Sequence, residues 1–91
     1  MKKKRVLVVE NEMPITMMLE SLLIQAGFDV QLAAQGHQGM EIAQDRRFDL
    51  ILLSANLPDI NGFEICAELK QRHISRRTPI VFLSHRCGGF Y

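Results

Sequence analysis

Leu50-Ile51-Leu52-Leu53-Ser54-Ala55-Asn56-Leu57-Pro58-Asp59-Ile60-Asn61-Gly62-Phe63-Glu64 opens with four apolar residues in an unbroken run, passes through a polar turn and leads into a helix. A run that is apolar without alternation reads as a strand covered on both faces, as in a parallel sheet. Working outward, Val6-Leu7-Val8-Val9 and Ile80-Val81-Phe82-Leu83 read the same way. Between the first two runs, Ile15, Met18, Leu19, Leu22 and Leu23 recur at helical spacing, with Pro14 near the start and Gly27 just past the end. Val30 and Leu32, alternating with Asp29 and Gln31, give a weaker strand suited to a sheet edge. Met40 and Ala43 predict a second helix on Gly36 to Arg46, although Gly36 and Gly39 each cost about 1 kcal/mol against Ala inside a helix. A third, on Gly62 to Arg72, is expected to bury Phe63, Cys66 and Leu69, with Ile65 and the stem of Lys70 at its margins. This alternation predicts an open, doubly wound α/β sheet with right-handed crossovers.

The 91 residues hold one small domain, and 47% hydrophobic with 23% charged content is an ordinary globular mixture. The formal charge of +1 and the absence of Trp argue against a nucleic-acid surface. Lys2, Lys3, Lys4 and Arg5 read as a solvated lead-in to the first strand, and Val6 to Val9 is too short for a membrane span, so no membrane partner and a cytoplasmic location are expected. Cys66 and Cys87 form no disulfide framework and have no metal-finger spacing, which suits a reducing compartment.

In open α/β sheets ligands bind beyond the carboxyl ends of the strands. The residues there are Glu10, Asn11 and Glu12 after the first strand, Ser54 and Asn56 after the third, and Ser84 and His85 after the fourth. Val6-Leu7-Val8-Val9-Glu10-Asn11-Glu12, with Pro14 opening the next helix, resembles the first strand and acidic loop of two-component response-regulator receiver domains. The stretch from Phe48 to Glu64 is similar to that family's third strand and phosphorylation loop, and Thr78 to Ser84 resembles its fourth strand and closing hydroxyl. The resemblance implies a flavodoxin-like parallel sheet in strand order 2-1-3-4, with residues 1–85 as an incomplete receiver-like domain and residues 86–91 as a tail unlike the family. It further implies a place in or near a bacterial phosphorelay, with a histidine kinase or an effector protein as partner.

The departures from the family carry the functional expectation. The position of the family's phosphoacceptor aspartate is Ser54, whose hydroxyl is a poor nucleophile without an adjacent base. Of the family's acidic metal-binding pair Glu10 is kept, but Asn11 stands at the second position, and Asn56 aligns with a backbone-carbonyl ligand. With two negative charges absent, Mg²⁺ binding is expected to be weak or nil, with no other cofactor and no catalysis. Ser84 keeps the hydroxyl, while His85 stands where the family has a small residue and would crowd the donor's approach. Each residue also has a plainer role: Glu10 and Glu12 beside the positive end of a helix, Ser54 bonded to nearby backbone, Asn56 in a turn.

Seven residues follow Ser84, where the family continues through a fifth strand with its lysine and a fifth helix. The expectation is therefore a chain shortened after the fourth strand, with a bare edge at Ile80 and Phe82 that a homodimer covers, helped by Phe90 and Tyr91. The competing expectations are residual phosphoryl acceptance at Glu10, Glu12 or Ser54, and a fragment of a longer response regulator.

Overall fold

Seven elements alternate along residues 2–83, the residues described by the computed structural model. They are β1 (Arg5–Val9), α1 (Met13–Gln25), β2 (Asp29–Ala33), α2 (Gly36–Asp45), β3 (Leu50–Ser54), α3 (Gly62–Lys70) and β4 (Ile80–Leu83). The strands form one parallel sheet, as the alternation predicts, in the order β2-β1-β3-β4 that the resemblance implies. Val9 pairs with Ala33 on one side and with Leu53 on the other, so the carboxyl ends of β1 and β3 stop level with each other.

Strand alternation divides the apolar runs between two layers. Leu7, Val9, Ile51 and Leu53 join Ala43 of α2 and Ile65 and Leu69 of α3 in one buried cluster. Val6 and Val8, also fully buried, point to the opposite face, where α1 packs on β1 and β2. Gly39 explains how α2 tolerates a poor helix former: a Cβ there would come within 2.6 Å of Val9 Cγ2, so its absence lets α2 lie directly on β1.

Two helix faces differ from the sequence pattern. On α1, Thr16 is buried and Ile15, Leu19 and Leu23 are half-buried, but Met18 and Leu22 are 53% and 56% exposed. The reason is placement: α1 sits over β1 and β2, and only the stripe facing those strands is covered. On α3 the buried stripe runs through Gly62, Ile65 and Leu69, so Ile65 is core and Phe63 is 45% exposed, the reverse of the expected assignment. Gly62 sets this phase by lying against the Ser54–Ala55 backbone, which turns Ile65 toward the sheet. Phe63 instead stacks on Phe82 of β4, ring centroids 4.5 Å apart.

Candidate functional site

The strand ends bring Glu10, Asn11, Ser54 and Asn56 to one edge of the sheet. Glu10 is buried at the end of β1, and its carboxylate turns back on its own loop: the Glu12 backbone N–H donates to Oε2 at 3.0 Å. The Thr16 hydroxyl donates to the Glu10 carbonyl at 3.2 Å, which ties the loop to the first turn of α1. Glu12 is the residue preceding α1 and makes no side-chain cap.

Ser54 closes β3 and is fully buried. Its hydroxyl oxygen accepts the Asn56 backbone N–H at 3.3 Å, a local turn bond of the kind expected for Ser in a loop. A Cβ on residue 62 would collide with the Ser54 carbonyl, so glycine is needed for the loop to close, and the Gly62 N–H donates to Ala55 O at 3.2 Å. Asn61 then caps α3, accepting the Phe63 N–H at 2.7 Å.

Asn11 and Asn56 are exposed and share a shallow depression of about 430 Å³ with Pro58, Asp59 and Asn61. Asp59 carries a role that the sequence reading missed. Its Oδ1 accepts the Gly36 N–H at 2.8 Å and its Oδ2 the His37 N–H at 2.9 Å, capping α2 from the β3–α3 loop. The His37 N–H chiefly holds the carboxyl below its usual 3.8; burial opposes it, and the Gly36 N–H adds a smaller lowering. Both oxygens are thereby committed to α2.

The donor set at the strand ends is thus one buried carboxylate, one neutral amide side chain, one hydroxyl and a loop carbonyl. Among the described residues, no three His, Cys, Asp or Glu side chains stand together at metal-binding separation. Ser84, His85, Phe90 and Tyr91 lie outside the described residues. Of the expected interface residues, Ile80 and Phe82 pack against the buried cluster, and Val81, which no reading singled out, is the exposed side chain of β4 at 48%.

Residues 6–88 match the family profile of the response regulator receiver domain. The chain is 36% identical over 86 residues to the response regulator ArlR of Staphylococcus saprophyticus, covering 94% of this chain and 38% of that protein. It is 35% identical over 87 residues to the alkaline phosphatase synthesis transcriptional regulatory protein PhoP of Bacillus subtilis, covering 96% and 35%. The chain therefore spans little more than a third of the length of these curated relatives. Among solved structures it is similar to the chemotaxis response regulator CheY4 of Vibrio cholerae, with a TM-score of 0.90 at 31% identity over 96% of this chain and 72% of that one. The magnesium-bound receiver domain of the sensor histidine kinase PA1611 from Pseudomonas aeruginosa gives a TM-score of 0.87 at 30% identity, over 91% and 68%. Strand order, the level ends of β1 and β3 and the match over residues 6–88 agree, and the chain belongs to the response regulator receiver domain family.

Proposed function

We propose that this receiver acts in two-component signalling by binding protein partners, without phosphoryl transfer or catalysis of its own. The observation that carries the reading is Ser54: a buried, neutral hydroxyl already engaged with its own turn occupies the end of β3. It offers no anionic oxygen to attack a phosphoryl donor, and among the described residues its one hydrogen-bond partner is the Asn56 backbone N–H. The donor set also suits Mg²⁺ poorly. Glu10 supplies the one carboxylate, Oε2 of which accepts the Glu12 N–H, and Asn11 supplies a neutral oxygen at best.

The partners of this reading are a histidine kinase or an effector that recognises the receiver shape, and a second copy of the chain, in the cytoplasm. No helix among the described residues is long and apolar enough to cross a membrane. The half-exposed Val81 on β4 and the uncovered apolar flank of α1 support the second copy.

The test is the intact mass of the chain after incubation with acetyl phosphate and Mg²⁺. An unchanged mass is the expected result. A stable adduct of one phosphoryl group, mapped to Ser54, Glu10 or Glu12, overturns the proposal in favour of residual phosphoryl acceptance.

A further inference from the structure

The net charge of +1 conceals a strongly polarised molecule. Arg47, just before β3, and Arg76 and Arg77, before β4, meet at the amino-terminal end of the sheet, the end opposite Glu10 and Ser54. Together with His73 they line a cleft of about 410 Å³, within the range typical of small-molecule sites. Asp49 is the single carboxylate in its lining, and its Oδ2 already accepts the Arg5 N–H at 2.8 Å. Among the described residues the one ion pair is Arg72 with Glu68, so Arg47, Arg76 and Arg77 have no carboxylate partner. A second concavity, lined by Lys2, Lys3, Lys4 and Arg5 with Asp29, adjoins the first through Arg47 and Asp49, and its net charge is also positive.

The floor of the cleft is fixed. The Thr78 hydroxyl donates to the Phe48 carbonyl at 3.3 Å, joining the segments before β3 and β4. Lys70 Nζ donates to the Thr78 carbonyl at 2.6 Å, and the buried Ser75 hydroxyl to the Leu69 carbonyl at 2.6 Å. Arg47, Arg76 and Arg77 are thereby carried on or beside pinned backbone around the cleft they line. Guanidinium presents paired donors that match the oxygens of a phosphate group, and an arginine cluster without carboxylate partners is a site for such an anion.

We propose that this cleft binds a phosphate-bearing small anion through Arg47, Arg76 and Arg77. The site is independent of the strand-end chemistry, so its fate does not depend on whether Ser54 accepts phosphoryl groups. Concavity favours a small ligand over a duplex, which needs an extended basic face.

The experiment is an amide-resolved titration of the full chain with inorganic pyrophosphate and, separately, adenosine diphosphate. Saturable binding with shifts centred on residues 47–49 and 73–79 is expected. Tighter binding of the nucleotide assigns the ligand to nucleotides, and equal binding assigns it to the phosphate groups alone; both support the site. Arg76→Ala with Arg77→Ala should weaken pyrophosphate binding at least about tenfold, and Arg47→Glu by a similar factor. Replacing Lys2, Lys3 and Lys4 by Ala together should change it less than about threefold. The side chains altered are exposed, and the dispersion of the amide spectrum reports that each variant is folded. Shifts centred on Lys2–Lys4, absence of saturation, or an Arg76/Arg77 double variant that binds like the parent each overturn the proposal. So does displacement of pyrophosphate by duplex DNA or phosphatidylglycerol vesicles at lower phosphate concentration, which would make this end a polyanion surface.

Discussion

At Asp59 two backbone N–H groups from another element converge on one carboxylate, and the arrangement makes a prediction with a definite sign. The folded-state pKa lies below the ordinary 3.8, so the stabilisation is fully present above that value and disappears as pH falls through the lower, folded pKa. Asp59→Ala should lower stability by about 1 kcal/mol at neutral pH, in line with the loss of a helix cap, and the gap from the parent should close at strongly acidic pH. Asp59→Asn keeps one acceptor oxygen and loses the acid dependence; denaturant unfolding across pH separates the three proteins. A similar single-residue argument applies to Asn11. It follows β1 beside the buried Glu10, and Asn11→Asp adds a second carboxylate there. Mg²⁺ titration should show at least about tenfold tighter binding in that variant. Equal, weak binding by both would place the deficit at Ser54 instead.

Among the elements, α3 gives the sharpest mutational contrast because its two apolar stripes are only one residue out of phase. Ile65→Ala removes a fully buried side chain from the cluster shared by β1, β3 and α2 and should cost about 2–5 kcal/mol. Phe63→Ala removes a half-exposed ring that contacts Phe82 and should cost about 1 kcal/mol, despite the larger side chain. Thermal or denaturant unfolding of the two variants decides the order. The same helix shows where sequence legibility ended. The apolar runs of β1, β3 and β4 were readable because an unbroken run suits a strand of a parallel sheet; their alternation with helices gave the doubly wound class, and the strand order came from the resemblance. The phase of α3 was not readable, since Phe63, Ile65, Cys66 and Leu69 are all apolar and the contact that chooses between stripes is Gly62 against the backbone of β3. Glu10, Ser54 and Asn56 were legible as strand-end and loop residues. Asp59 was hidden because the groups it serves lie 23 and 22 residues earlier, while Pro58-Asp59 reads locally as an ordinary turn.

For the whole molecule, the decisive feature is that α1 covers only half of its sheet face. It packs on β1 and β2, while strand alternation places Leu50, Leu52, Val81 and Leu83 on the same face over β3 and β4. Val81 is 48% exposed there, and α1 carries Met18 and Leu22 more than half exposed. Exposed apolar side chains of this kind favour association, and the outer edge of β4 has no neighbouring strand among the described residues. A charge at position 81 leaves the buried cluster untouched, because Ile80 and Phe82 are the β4 residues that pack against it. Val81→Lys therefore tests association without dismantling the fold. Light scattering over a dilution series should find a dimer of the parent chain that dissociates at low concentration, and the substitution should raise the dissociation constant at least about tenfold, the effect of some 1.4 kcal/mol at the contact. A variant that dimerises like the parent would remove β4 from the interface, and a parent that is monomeric throughout would reject self-association and leave this face to a different protein.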